Sequence, residues 1–344
     1  MAIHLGIIGG GGISESHARA AREIPNLRIA AFYGQNQARV ERLAQDFGAR
    51  AYNEYDSFLN HHPLDLVAIG SPSGLHADQG IAAARRGLHV LTEKPLDISL
   101  VRADALIEEC ERAGVKLGLF FQDRTATDLR RLKDLIDGGI LGRPTLVSAR
   151  VKWYRAPEYY NSSRWRGTLA LDGGGALINQ GVHTVDLLLW LLGDVLRISA
   201  YTATALHSIE AEDTCVATLE FANGAVGTLE ATTAAYPGFP RRVEISGTEG
   251  TIVVEHDRVI GVHLQSGATR DELFSSAEEN SNASSKSAIV SDVRGHRKIF
   301  EDFLRAIKEN TRPLCDGREG RRSLELVVAV YRSARGRHNV NLKP

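Results

Sequence analysis

Between residues 3 and 121, short apolar runs alternate with amphipathic stretches of helical length. Residues 3–8, 27–33, 64–69, 89–92 and 116–121 read as strands, and 15–24, 37–47, 75–86 and 100–113 as helices. Gly48, Gly87 and Gly114 stand where a left-handed residue closes a helix. The strands are continuously apolar, which predicts burial on both faces and so a parallel sheet with helices on either side.

After a helix over 128–137 the pattern changes. Segments 144–154, 195–206, 213–221, 225–233, 241–247 and 251–255 are rich in Val, Thr and Ile, and a helix over 176–192 falls between the first two. Asn223-Gly224 and Thr248-Glu249-Gly250 separate such runs, and glycine supplies the positive φ of tight hairpins, so these strands are expected to be antiparallel. The expected architecture is an α/β domain over residues 1–122 and an α+β domain over 123–344 with a mostly antiparallel open sheet. Segments 298–308 and 324–334 are amphipathic and are expected to pack back on the sheets. Residues 266–292, rich in Ser, Glu, Asn and Ala, read as a solvated loop.

Composition narrows function by exclusion. Of 344 residues 43% are hydrophobic and 24% charged, which excludes disorder as the main state. Lys plus Arg is 41 against 42 Asp plus Glu, so no electrostatic footprint for nucleic acid or an anionic membrane exists, and the expected partner is a small molecule. No apolar run reaches the ~18 residues of a membrane span, and the start of the chain lacks the pattern of a signal peptide. A soluble, cytoplasmic protein is expected. Cys110, Cys215 and Cys315 are too scattered for a metal or redox motif, and His61-His62 reads as a solvated pair, so no metal is expected.

The first strand leads into Gly6-Ile-Ile-Gly9-Gly10-Gly11-Gly12-Ile13-Ser14 and then directly into a helix. Gly9-x-Gly11-x-x-Ser14 matches the dinucleotide fingerprint, with a small residue where helix and strand approach closely. Gly9, Gly11, Gly12 and Ile13 would present their backbone to a pyrophosphate, and Ser14 can cap the helix. The bland alternative is a glycine-rich turn without a ligand. The second strand of such a unit usually ends in an acid that takes the ribose of NAD. Here Gly34 and Gln35 stand there, with Asn36 next and Arg39 one turn on. Loss of the acid and a nearby cation tip the balance toward NADP; NAD is the alternative, with Gln35 and Asn36 on a plain ribose.

Four more blocks follow in order: Gly70-Ser71-Pro72-Ser73-Gly74-Leu75-His76; Thr92-Glu93-Lys94-Pro95; Asp172-Gly-Gly-Gly175-Ala-Leu-Ile-Asn179-Gln-Gly-Val-His183-Thr-Val-Asp186; and a tail from Phe300 to Gly317. With the glycine loop they resemble, over nearly the whole chain, the glucose-fructose oxidoreductase, inositol dehydrogenase and rhizopine catabolism (Gfo/Idh/MocA) family of NAD(P)-dependent sugar oxidoreductases. The resemblance implies a Rossmann first domain, a sugar, cyclitol or sugar derivative as substrate, and a homodimer or homotetramer formed through the second sheet.

Lys94 ends a strand of the parallel sheet, where ligands bind, and Pro95 bars it from helical geometry. The family implies that Lys94 orients the reacting hydroxyl and helps hold the nicotinamide. His183 would be the general acid/base, four residues after Asn179 and so on the same helical face. The family's usual residue at 179 is Asp; Asn179 can hold a hydroxyl but cannot stabilise imidazolium by charge. By the same resemblance Ser71, Pro72, His76, Glu93 and Gln122 line the cofactor, and Arg166 closes over it. Arg124, Tyr154 and Trp165 would contact substrate, in a stretch dense in aromatics and arginines of the kind that holds sugars. Two alternatives are an NAD-dependent glycosidase using transient oxidation and a non-catalytic NAD(P)-binding sensor.

Overall fold

The computed structural model describes residues 2–274 and 292–343. The elements begin β1 (Ile3–Ile8), α1 (Gly12–Arg22), β2 (Leu27–Tyr33), α2 (Gln37–Phe47), β3 (Arg50–Tyr52), α3 (Tyr55–Leu59), β4 (Leu66–Ile69), α4 (His76–Ala84), β5 (His89–Thr92), α5 (Leu100–Ala113) and β6 (Leu117–Leu119). There follow α6 (Thr127–Asp137), β7 (Pro144–Lys152), α7 (Pro157–Asn161), a π-helical turn over Ala176–Gly181, α8 (Val182–Leu192), β8 (Val195–Ala203), β9 (Thr214–Phe221) and β10 (Val226–Thr232). The chain continues with β11 (Arg242–Gly247), β12 (Gly250–Glu255), β13 (Arg258–Leu264), α9 (Arg270–Leu273), α10 (Arg294–Glu309), α11 (Gly317–Gly336) and β14 (Val340–Asn341). These form two compact units, Met1–Gln122 with Ile289–Arg321, and Asp123–Ala288 with Arg322–Pro344.

In the first unit six parallel strands lie in the order β3-β2-β1-β4-β5-β6. The order reverses between β1 and β4, which leaves the carboxyl ends of these strands diverging, the place where such sheets hold ligands. Leu5, Ile7, Phe32, Leu66, Ala68 and Leu91 pack against α1 and α2 on one side, and Phe120, Phe300 and Phe303 join the same core. α10 thus belongs with the first sheet, packed on α1. The ring of Phe303 lies so close over Gly118 that a Cβ there would be 2.7 Å from it.

The second unit has eight strands, β13-β12-β11-β7-β10-β9-β8-β14, antiparallel except for the β7/β10 pair. Asn223-Gly224 makes the expected hairpin between β9 and β10, with Gly224 at φ +87°. Inward positions are buried, as Cys215, Ala217, Leu219 and Phe221 on β9, against the π turn and α8. The outward face carries exposed Leu146, Tyr201, Val216 and Val226 among ion pairs such as Lys152–Glu230 and Arg150–Glu244.

Where sequence reading and structure differ, the cause is length or a tertiary partner. β3, β14 and α3 have too few residues for a period to register, and β13 alternates weakly because only Val259 of its seven residues is buried. The helix expected from residue 15 begins at Gly12, and the one expected over 176–192 opens with a π turn. Most of the loop expected over 266–292 lies outside the described residues; its start holds α9, closed by a capping box between Thr269 and Glu272. Among the described residues no helix is long and apolar enough to cross a membrane. Phe300 is fully buried, so Phe300→Ala should lower the unfolding free energy by about 3–5 kcal/mol in a denaturant titration, with the slope unchanged.

Candidate functional site

The glycine loop turns between β1 and α1 in a backbone few residues could follow. Gly9 lies at φ +123°, and a Cβ on it would meet Ser14 Oγ at 2.4 Å and the Gly70 carbonyl oxygen at 2.7 Å. Gly11 and Gly12 by contrast have nothing within 4 Å of an added Cβ, so the start of α1 opens onto free space. Ser14, expected as the cap, lies inside the helix; Gly11 is the N-cap. The Ser14 hydroxyl is buried without a partner against Gly9 and Gly70, so its role is close packing. Unsatisfied N–H groups, the helix dipole and an open cradle together fit a dinucleotide pyrophosphate. Gly34 at the end of β2 has a different reason to be glycine: a Cβ would lie 2.9 Å from Val40. Asn36 accepts a hydrogen bond from Arg39 N and caps α2, while Gln35 and Arg39 are exposed.

At the ends of β4 and β5 the two loops are strapped together. His76 is buried, with Nδ1 2.8 Å from the Pro95 carbonyl and Nε2 3.0 Å from the Ser71 carbonyl. Burial holds its pKa below the ordinary imidazole value, although both carbonyls favour the proton. Ser71 Oγ donates to Gln79. Glu93 turns inward, its Oε1 3.0 Å from His17 Nε2 of α1 and 3.4 Å from His296 Nε2 of α10. Burial alone would push Glu93 up; the hydrogen bonds from both imidazoles outweigh it and hold this carboxyl well below the usual range. Gln122 places its amide 3.0 Å from His296 Nε2.

In the second unit the run Asp172 to His183 is shaped by carboxylates. Glu212 accepts the N–H groups of Gly175 and Leu177, and the hydroxyl of Tyr331, at 2.8–2.9 Å. A Cβ on Gly175 would fall 1.8 Å from the Glu212 carbonyl oxygen, so only glycine allows this approach. Glu212 thus caps the segment that enters α8 through the wider π turn, a feature frequent at functional sites. Asn179 lies in that turn, outside the regular α-helical register with His183 expected from a spacing of four. Asn179 Nδ2 donates to Asp172 Oδ1 at 2.7 Å, and its Oδ1 accepts from Gln180. The acid missing at 179 therefore stands immediately behind it. Along α8 every residue is buried except His183 and Trp190, seven apart and on one face.

The aromatic stretch packs largely on itself. Arg155 and Arg166 lie over the Tyr159 ring at 5.5 and 4.4 Å, Arg166 also over Trp165, and Tyr154 meets Tyr236 edge-on. Arg124 corrects an expectation. Its side chain is 3% exposed and its guanidinium forks onto the fully buried Asp186 at 2.7 and 2.9 Å, so it serves an internal ion pair and not a substrate wall.

Residues 3–121 match the oxidoreductase family with an NAD-binding Rossmann fold, and residues 129–253 the GFO/IDH/MocA C-terminal domain. The chain belongs to the Gfo/Idh/MocA family. It is an NAD-binding oxidoreductase. It is 27% identical over 342 residues to D-apiose dehydrogenase of Paraburkholderia graminis, spanning 98% of this chain and 89% of that protein. Identity to the rhizopine catabolism protein MocA of Rhizobium meliloti is 30% over 250 residues, 72% and 76% of the two chains. The crystal structure of the WlbA dehydrogenase from Bordetella pertussis, in complex with NADH and UDP-GlcNAcA, is similar with a TM-score of 0.90 at 31% identity, covering 100% of this chain and 98% of that one.

Within this Gfo/Idh/MocA chain, the first unit gathers Gly9, Gly11, Gly12, Ile13 and Ser14 at one strand end, and Ser71, Pro72, His76, Glu93 and Lys94 at the neighbouring ends. The second unit joins Asn179 to Asp172 and Gln180 and holds the same run through Glu212, three residues to which sequence reading gave no role, with His183 following on α8. His17 and His296 were also missed. The signal for His17 was its place on the buried alanine face of α1, where a histidine needs a partner.

Two outcomes follow from buried charge. Arg124→Met or Asp186→Asn alone should each cost about 3–5 kcal/mol, whereas the double replacement Arg124→Met/Asp186→Leu should cost far less than their sum, as read from unfolding curves. Burial, opposed by Glu93, keeps the His17 pKa below 6.5, so the unfolded state binds its proton first on acidification. The contribution of neutral His17 is complete above pH 6.5 and is lost as pH falls toward its folded value. His17→Gln should make the pH dependence of stability shallower by up to about 1.4 kcal/mol per pH unit below that point.

Proposed function

We propose that this enzyme transfers a hydride between nicotinamide and a hydroxyl-bearing ring carbon of a sugar, cyclitol or sugar derivative, with His183 moving the hydroxyl proton. The observation that carries the reading is His183 itself: a half-buried imidazole on a helix where only it and Trp190 are not fully buried, one turn after Asn179 and its partner Asp172. The D-apiose activity of one relative and the nucleotide-sugar acid bound to another support carbohydrate as the substrate class.

Bound nicotinamide supplies the hydride acceptor or donor. The backbone of Gly9, Gly11, Gly12 and Ile13 holds the pyrophosphate, with Ser71, Pro72, Gln122 and Arg166 toward the rest of the cofactor. Lys94 orients the hydroxyl and favours the alkoxide that develops as hydride departs. His183 takes the proton during oxidation and returns it during reduction, a role imidazole can fill in both directions. Asn179 holds the hydroxyl, and Asp172 fixes the Asn179 amide so that its oxygen faces away from Asp172. Tyr154 and Trp165 offer ring faces to the sugar. With Gly34 in place of an acid, Arg39 exposed nearby and Asn36 committed to its helix, NADP is favoured over NAD. The exposed Leu146, Tyr201, Val216 and Val226 support the outward sheet face as the contact between copies in a dimer or tetramer.

Calorimetry with NAD and NADP, then absorbance at 340 nm with a panel of aldoses, cyclitols, uronic acids and nucleotide sugars, tests the reading. Reduced cofactor should accumulate one-for-one with product, and His183→Ala should lose roughly 10²–10⁴ in turnover while binding the dinucleotide normally. Full turnover by that variant would remove His183 from the chemistry.

A further inference from the structure

Three buried groups from three elements converge beside Lys94: His17 of α1, Glu93 after β5 and His296 of α10. Their side chains are 0%, 8% and 2% exposed. Glu93 divides its two oxygens. Oε1 faces both imidazoles at 3.0 and 3.4 Å, and Oε2 accepts the backbone N–H of Lys94 at 3.3 Å. The Glu93 backbone N–H is itself held by the Ile69 carbonyl of β4. The carboxylate thus joins the backbone of Lys94 to the helix that starts at the glycine loop.

A divalent cation is the competing occupant, since two nitrogens and an oxygen at these separations could surround one. The surroundings of His17 weigh against it. Ligation through Nε2 would place the His17 proton on Nδ1, which is buried with no acceptor while the ring stacks on Phe120 at 4.3 Å. Metal-bound imidazoles nearly always donate that second N–H, and an orphaned buried donor costs about 1–3 kcal/mol. With the proton on Nε2, His17 donates to Glu93 and Nδ1 is left as an unpartnered acceptor, so no buried N–H is orphaned.

We propose that Glu93, clamped by His17 and His296, is a positioning residue that fixes the backbone of Lys94 and ties it to helix α1. This rests on the hydride-transfer reading for the role of Lys94. The clamp needs a carboxylate: an amide at position 93 would set an N–H₂ against either an imidazole N–H or the Lys94 N–H. A backbone shift of about 1 Å at a positioned group is enough to cost on the order of 10² in rate.

The test pairs hydrogen exchange with kinetics. In the free protein the Lys94 amide should exchange at least about tenfold faster in Glu93→Gln and in His17→Phe, which keeps the ring on Phe120 without a donor; His17→Gln, which restores one, should recover most of the protection. With whichever panel substrate the wild type turns over, Glu93→Gln should lower kcat about 10–100-fold and leave the KM for the dinucleotide within about threefold. In a Lys94→Ala background the same change should have no further effect. A full multiplicative loss in that background, unchanged exchange at Lys94, or stoichiometric metal in the purified protein would each overturn the proposal. Should no substrate be turned over, the hydride reading fails, and the exchange data still decide the clamp.

Discussion

A carboxylate taken out of water must be met by donors or give up its proton, and this requirement organises both units of the molecule. Glu93 is met by two imidazoles and a backbone N–H. Glu212 is met by two backbone N–H groups and a tyrosine hydroxyl, Asp172 by the Gly167 N–H and the Asn179 amide, and Asp186 by Arg124 and the Ser323 hydroxyl. Glu93, Glu212 and Asp186 join segments far apart in the chain, while Asp172 closes a local loop. Each also lies within or beside a segment assigned to chemistry.

That placement has a mechanical consequence. A functional side chain held only by its own loop samples many rotamers, whereas one backed by a satisfied buried network is held near one geometry. The Asp172–Asn179 pair shows what this does to the charge. Exchanging Asp for Asn at 179 removes a negative group from beside the proposed base, yet a carboxylate remains one hydrogen bond further back. The neutral amide is then a polarised one, oriented by its contact with Asp172.

Much of the first unit was legible because its strands are apolar throughout and its helices end on glycines that must be left-handed, such as Gly48 and Gly114. The glycine loop was legible for a similar reason, since steric demand on Gly9 leaves a mark in residue type. Helix α8 was legible too, but its entry was not. Glu212, more than thirty residues downstream, takes the Gly175 and Leu177 N–H groups at the mouth of the π turn. No local period encodes that. Arg124 was misplaced for the same reason: an arginine in a promising block gives no sign that its partner is Asp186.

By itself, then, the sequence determined the layers, the parallel and antiparallel sheets, the glycine cradle and the family, because these follow from periodicity, backbone sterics and motifs of neighbouring residues. Only the tertiary structure decided which charges are internal: the pairing of Arg124 with Asp186, the acid standing behind Asn179, and the His17–Glu93–His296 clamp behind Lys94. The physical reason is range. Burial of an apolar face is prescribed residue by residue along the chain, whereas the fate of a buried charge depends on which donors the fold brings within about 3 Å of it.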